Sequence, residues 1–494
     1  VPNGISRRGF GLIAGGALGA TAVACSSRDH DAAPNSPGPP PAPGNIEVSA
    51  RSLGYTVNVN KPGGAPGYVF FVSGTSAADP NADGGVSILL IADKAGRVVW
   101  QRELPPGQVG GNLRVQNYQG RPVLTWWQGL RMGSHGIGFN CIADQHYNVL
   151  TTLTPGGDLS SDIHEFRLTP EGHALITAYQ EVTADLTAVG GPKDGRVFNC
   201  IATVVDVATR KTLFQWDALS HVPVADSPEK YTAGEAFDPY HMNSIALDPS
   251  GNLLISLRAV STVFNIDPRS GAINWQLGGK HSSFEMGEGV EFAFQHDAEM
   301  PDPNTLTVFD NHFEGSRAQP GGGSVPTRLK WIHLDFAARK ATLIRAQPHP
   351  GNLSAGAMGN LQQLAGGNIF SGWGTAGHIT EFAADGDMLY DATLADGTYR
   401  AFLDEWTGDP VLPPQLLFTD GGVRAIWNGA TAVTRWRLLH GTLSNAMTEV
   451  ATVDWAGYNT LIPLRAKPDG YCQLQGLDGG GAVVIQSTPL PAPR

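Results

Sequence analysis

The chain has 494 residues, of which 62 are glycine and 35 proline; 16% are charged and the net charge is −12. That length exceeds most single cores and the composition is rich in turns, so a repeat architecture or several domains is the starting expectation. The acidic balance argues against nucleic acid or an anionic membrane surface as partner, and an anionic substrate would need a locally basic pocket.

Residues 1–25 read as a targeting segment. Ser6-Arg7-Arg8-Gly9-Phe10 is a twin-arginine pattern, and the Gly/Ala-rich stretch from Phe10 to Ala24 is too short and glycine-rich for a membrane span. Ala22-Val23-Ala24-Cys25 resembles a lipobox that lacks the usual Leu three positions before the Cys. Cys25 is the expected lipidation site, with an ordinary small-residue cleavage site as the alternative. The expected destination is the cell envelope, lipid-anchored or otherwise secreted. Residues 26–48, with Pro34, Pro37, Pro39, Pro40, Pro41 and Pro43, read as an extended tether. Cys141, Cys200 and Cys472 show no CxxC or zinc spacing and read as buried thiols; a Cys141–Cys200 disulfide stays open.

From there one motif recurs: an apolar strand, an Asp-led turn and a second apolar strand. The copies are 88–100 around Asp93, 139–153 around Asp144, 201–216 around Asp206, 263–275 around Asp267, 329–344 around Asp335 and 379–390 around Asp385. Their spacing of about 60 residues points to propeller blades. A different hairpin precedes most of them, at 113–127, 164–179, 241–258, 296–311 and 360–373. Two hairpins make a four-stranded blade. The predicted fold is therefore all-β, a six-bladed β-propeller over 49–412. After Pro413 short alternating strands around Trp427 and Trp436, with Tyr471 opening a late strand, predict a small immunoglobulin- or fibronectin-like β-sandwich over 413–494.

The repeat phase predicts which residues meet at one mouth of the channel. First strands open at Asn112, His164, His241 with Asn243, His296 and Asn360. Second strands end at Trp126 and Trp127, Tyr179, Arg258, Asp310 with Asn311, and Trp373. An arginine ending the apolar run Leu253-Leu254-Ile255-Ser256-Leu257 calls for an anionic or acceptor partner. No carboxylate cluster repeats with this ring, so neither a metal nor another cofactor is expected; three histidines holding zinc is the weaker alternative. The set suits transfer of a tetrahedral anionic group: one neutral imidazole attacks, a second protonates the departing oxygen, and Arg258 with the remaining imidazole stabilises the equatorial oxygens. Any one of these histidines alone would read as structural. His135, His221, His281, His333 and His378 fall outside the repeat phase and are expected on loops or the surface.

Asp162-Ile163-His164, Tyr240-His241-Met242-Asn243-Ser244 with Arg258, Gln295-His296-Asp297 with Phe309-Asp310-Asn311, and Gly359-Asn360 with Gly372-Trp373-Gly374 together resemble the arylsulfotransferase family, over about 67–395. Trp427-Asn428-Gly429 resembles the tail of its actinobacterial and fungal branch. The resemblance implies sulfuryl transfer, independent of PAPS, from an aryl sulfate to a phenolic acceptor by a ping-pong route. It implies His296 as the transiently sulfated residue, His241, Asn243 and Arg258 as sulfuryl-binding, and His164 as the remaining active-site histidine. Asn311, Tyr179, Trp373 and Asn360 are carried as substrate-binding candidates. Two departures stand out. His312 follows Asn311 where relatives commonly carry a small residue. The N-terminal strand domain of the dimeric enterobacterial members is not apparent, so their oligomeric state is not carried over and a monomer is expected. The alternative reading is a non-catalytic cell-surface propeller that binds a small molecule or a protein.

Overall fold

The computed structural model describes residues 54–74, 86–312, 325–466 and 468–493. The twin-arginine pattern, Cys25 and the proline-rich segment lie outside them.

Among the described residues, six largely antiparallel sheets of four or five strands are built from 55–404. The second sheet runs Val109–Tyr118, Arg121–Met132, His135–Ala143 and Val149–Leu153. The third runs Phe166–Leu168, His173–Ala184, Gly195–Asp206 and Thr212–Asp217. The fourth runs Met242–Leu247, Leu253–Leu257, Thr262–Ile266 and Ile273–Gly278. The fifth runs His296–Asp302, Thr305–Asp310, Arg328–Asp335 and Lys340–Pro348, with Glu285–Met286 parallel at its edge. The first and sixth sheets interlock the ends of this region. Phe402–Asp404 pairs with Tyr68–Ser73 to complete the first, and Tyr55–Asn60 pairs with Met388–Leu394 at the edge of the sixth.

The turn chemistry predicted from sequence is present. The Asp93 carboxylate accepts from the amides of Ala95 and Arg97 at 3.0 and 2.8 Å, and Asp144 holds His146 and Asn148 in the same way at 2.9 Å each. Such Asx turns fix the hairpin ends and hence the register of the strands. Ile88–Ala92 and Thr262–Ile266 are buried at every position because both faces are covered. Trp216 and Ala202 of the third sheet share a core with Ile245 and Phe264 of the fourth. Trp275 and Leu254 of the fourth pack with Val308 and Ile332 of the fifth. Phe370 and Tyr390 of the sixth meet Val69 and Phe71 of the first, so the series of cores returns to its beginning.

Two further sheets follow, one of Gln415–Thr419, Gly422–Ile426 and Asn459–Pro463, the other centred on Arg435–Leu443 and Tyr471–Leu477. Val423, Trp427, Trp436, Leu438, Ile462 and Leu474 form the core between them. They dock on the edge of the first sheet through backbone bonds from Gly429 N to Val99 O and from Tyr458 N to Val98 O, both 2.8 Å. Cys141, Cys200 and Cys472 are buried free thiols, so the structure contains no Cys141–Cys200 disulfide.

Candidate active site

Two of the three histidine-bearing strands open with an unusual backbone. His241 and Asp297 sit at φ 52° and 51°, as does Asn112 of the second sheet at 55°. Asn112 and Asp297 fall within register shifts in the first hairpin of their sheet, and His241 stands just before one, between Met242 and Ser244. Left-handed backbone at a non-glycine residue is strained, and a bulge re-aims the side chain beside it. The second, fourth and fifth sheets thus share a displaced opener, and the strand of His164 does not.

His164 and His241 come together, with ring centroids 4.8 Å apart and planes at 82°. Each is held from behind by its own carboxylate. Asp162 receives both the backbone N–H and Nδ1 of His164. Asp238 takes Nδ1 of His241 at 2.8 Å and its backbone N–H at 3.1 Å. An imidazole anchored through Nδ1 presents Nε2 on the opposite side of the ring. Burial would raise both aspartates, yet the neighbouring imidazoles outweigh it and hold the carboxyls below their usual range. His241 is pushed down to about 4 by burial, with His164 and Arg258 adding to the shift and Asp238 opposing it.

His296 is 2% exposed. Its Nδ1 faces Asn311 Oδ1 at 2.7 Å, and the Asn311 amide nitrogen donates to the carbonyls of Ala355 and Met358 at 2.9 and 3.0 Å. With the amide orientation fixed in this way, Nδ1 carries the proton and Nε2 the lone pair. Nε2 accepts the Met358 N–H at 3.1 Å. Burial, then the charge of Arg258, keep the ring well below the ordinary histidine value, so it is neutral at pH 7. Tyr399 lies between, 5.6 Å from His164 and 6.4 Å from His296 by ring centroid. Arg258 lies over the Phe294 ring at 4.8 Å and donates to Gly356 O at 3.3 Å, while its Nε is buried without a hydrogen bond. A cavity of about 300 Å³ opens beside His241 and Arg258 and is also lined by Ser134, Phe237 and Asp238.

The other expected residues divide. Tyr179 belongs to the group: its hydroxyl donates to Met242 O at 2.8 Å and its ring is 6.2 Å from His241. Asn243 is fully buried, donating to Gln295 O at 2.7 Å, with Oδ1 lacking a partner. Asn311 orients His296, and both of its amide atoms are engaged there. Asn360 and Trp373 are not brought to the group. Asn360 spends its amide on Ala401 O and on the N–H groups of Gly372 and Ala401, all at 2.8–3.0 Å. Trp373 is 0% exposed and packs on Phe309 and His349 in the core between the fifth and sixth sheets. His312, at φ 47°, is tied by its backbone N–H to Asp310 and Ala293.

His135, which falls outside the repeat phase, is the residue the spacing misses. It is 6% exposed, stacks within 4.0 Å of Tyr179, lies 5.5 Å from His241 and shares Asp238 through Nε2 at 3.0 Å. His135, Asp238 and His241 are close enough to share an ion. Both imidazoles direct a nitrogen at one carboxylate oxygen, which hydrogen bonding explains without a metal.

No curated protein matches the chain. Among solved structures it is similar to a Bacteroides caccae protein of unknown function, at 12% identity over 66% of this chain and 93% of that one, TM-score 0.38. It is also similar to virginiamycin B lyase from Staphylococcus aureus, at 10% identity over 75% and 95%, TM-score 0.33. A third is the β-propeller domain of Cps50 (Swd1) from Myceliophteria thermophila, at 12% over 69% and 88%, TM-score 0.28. The model of the arylsulfotransferase (ASST) family matches residues 114–395, more than half of the chain and the whole stretch that carries His135, His164, His241, Arg258 and His296. The chain belongs to the arylsulfotransferase family.

Proposed function

We propose that this protein moves the sulfuryl group of an aryl sulfate to a phenolic acceptor, without PAPS, by a ping-pong route through a sulfohistidine at His296. The observation that carries this reading is the state of His296: neutral, with Nδ1–H fixed on Asn311, Nε2 as its lone-pair nitrogen and an arginine lowering its proton affinity.

In the first half-reaction the Nε2 lone pair forms a bond to sulfur while the bond from sulfur to the aryl oxygen breaks. The Met358 N–H yields its place on Nε2 to the sulfur. The departing oxygen takes a proton from His164, whose Asp162 stabilises the imidazolium form, as in a serine-protease triad. Arg258 binds the sulfuryl oxygens, His241 joins it once the anionic donor brings a proton to its Nε2, and Asn243 steadies the strand before His296, so charge shifting onto those oxygens meets cations beside them. In the second half-reaction a phenol oxygen bonds to sulfur, the N–S bond breaks, and the phenolic proton passes to His164. His135 and Tyr179, with Phe198, whose ring lies 4.6 Å from that of His135, wall the aryl side.

The reading of the fold that goes with this is a six-bladed β-propeller over 49–412 followed by an immunoglobulin- or fibronectin-like sandwich over 413–494. It is supported by six successive sheets whose cores return to the first. Export by the twin-arginine route, a lipid anchor at Cys25 and a monomeric state are part of the same proposal and rest on the sequence patterns alone. The test is release of nitrophenol from 4-nitrophenyl sulfate. Release that depends on added phenol and disappears in His296→Ala supports transfer. Unchanged release in that variant removes His296 as the nucleophile, and no turnover of any aryl sulfate favours a binding protein.

A further inference from the structure

Under the histidines lies a layer of buried charge that the reaction does not consume. Arg114, Arg167 and Arg400 face Glu165, Asp297 and Glu299 there. Arg400 is at its centre. Its side chain is 0% exposed, Nη1 reaches both Glu165 oxygens at 3.0 Å, and Nη2 reaches the Asn243 carbonyl at 3.2 Å and Asp297 Oδ1 at 3.5 Å. Each partner lies within two residues of one site histidine. Glu165 follows His164, Asn243 is two residues beyond His241, and Asp297 follows His296. Arg400 thus grips each histidine-bearing strand within two residues of its histidine, through a carboxylate on two strands and a backbone carbonyl on the third.

We infer that Arg400 is the positioning residue of the site, one guanidinium that sets the three histidine-bearing strands at the spacing sulfuryl transfer requires. This rests on the function proposed above. Arg114 and Arg167 each reach at most two of these strands, whereas Arg400 reaches three. It comes from the segment leading into Phe402–Asp404, the strand that completes the first sheet, and lies beyond the end of the family match at 395. The preceding residue, Tyr399, stands between His164 and His296 and donates its hydroxyl to the same Asn243 carbonyl at 3.3 Å. Three strands whose openers include strained backbone at His241 and Asp297 need such an outside constraint to hold one geometry. The guanidinium supplies it because its donors are fixed in one plane and serve several acceptors at once. Burial, with Glu299 and Glu165 adding to it, pushes the Asp297 carboxyl up to about 6, while Arg400 and Arg167 draw it down, so this layer is poised on the arginines' positions.

Misplacing a reacting group by about 1 Å can cost about 100-fold in rate. Three variants test the inference with two readouts, donor kinetics and the imidazole 15N signals of the resting protein. Arg400→Met is expected to lower kcat about 100-fold with KM for 4-nitrophenyl sulfate nearly unchanged, and to shift the ring signals of His164, His241 and His296 together. Because that change leaves Arg114 and Arg167 to balance three carboxylates, Arg400→Met with Glu165→Gln restores the balance of charge. This pair is expected to regain thermal stability and not kcat. Arg400→Lys keeps the charge but not the fork, and is expected to fold and lose about 10-fold in kcat. Wild-type kcat in Arg400→Met, full recovery in the neutral pair, or ring signals that stay in place would overturn the inference. Failure of all three variants to fold would make Arg400 a folding determinant and overturn it as well. A wild-type protein inactive on aryl sulfates would remove the proposed function, while the ring signals still decide whether Arg400 sets the histidines.

Discussion

Two histidine–carboxylate clusters in this molecule look alike and differ in what their second nitrogens do. At the edge of the sixth sheet, Asp391 accepts from His349 and His378 at 3.3 and 3.0 Å, and also from Asn58 and Thr380 at 2.9 and 3.1 Å. The other nitrogen of His349, Nδ1, takes the Gly351 N–H at 3.0 Å. Metal-bound imidazoles usually donate their second nitrogen's proton, so an acceptor at this position marks a hydrogen-bonded hub and not a metal site. At the mouth, Asp162 and Asp238 anchor one nitrogen of each ring, and the opposite nitrogen is left to the space shared with Arg258. His349 spends both nitrogens on the fold and has no cation beside it among the described residues, whereas His164 and His241 keep one nitrogen open and His296 lends its Nε2 only to the Met358 N–H, with the charge of Arg258 acting on it.

The largest effect that would break this contrast is at His296. His296→Ala is expected to cut phenol-dependent turnover more than about 1,000-fold. His378→Ala should leave kcat within about twofold and cost about 1–3 kcal/mol in denaturant unfolding, because it strands part of a buried carboxylate. Comparable kinetic losses in both would erase the distinction. Next is Asp238→Asn, which loses the acceptor that fixes His135 and His241. A kcat about 100-fold lower at unchanged KM is expected, since a wrong tautomer disables a catalytic imidazole. Asp391→Asn should instead show its cost in thermal stability alone.

Gly359→Ala probes the chain beside the His296 nitrogen. Gly359 sits at φ 110°, and an added Cβ would come within 2.4 Å of the Phe309 ring. Displacing Met358 is expected to lower kcat about tenfold, and stopped-flow measurement of the first turnover should locate the loss in sulfation of the enzyme.

The last effect is on pH and touches stability, not turnover. His241 has an ordinary value of 6.5 and about 4 in the fold, so between these values the unfolded chain binds more protons. Stability should therefore rise as pH rises through that window and fall as acid is added, by on the order of 3 kcal/mol when fully expressed. The Asp238 carboxyl, held low in the fold, adds stability that is lost only at still lower pH. Urea midpoints measured from pH 4 to 7 should show a shallower slope in His241→Gln; an unchanged slope would mean that this ring is not buried neutral.

What the sequence made legible was what short-range chemistry determines. Asp-led turns at Asp93, Asp144 and Asp267 and the two-residue alternation between them are local, so the hairpins follow from the text of the chain. The shared phase of His164, His241 and His296 is equally local, and it identifies strands that come together. His135 escapes because it begins the return strand of a long hairpin, and its role depends on Asp238, over 100 residues away. Tyr399 and Arg400 escape because they follow the last repeat and arrive only when the sheet series returns to its start. Asn360 and Trp373 have the expected phase, but the segment of Ala401 and the core of the fifth and sixth sheets absorb their side chains. Phase in a repeat fixes where a strand begins; which side chains remain available is decided by contacts that come from far along the chain.

The most direct test is to mix the protein with 4-nitrophenyl sulfate in the absence of acceptor and map the peptides by mass spectrometry. One sulfuryl group should appear on the peptide carrying His296, at no more than one per chain, and should vanish when phenol is added. A sulfuryl group on another residue, or nitrophenol released with no labelled peptide, would contradict a sulfohistidine route through His296.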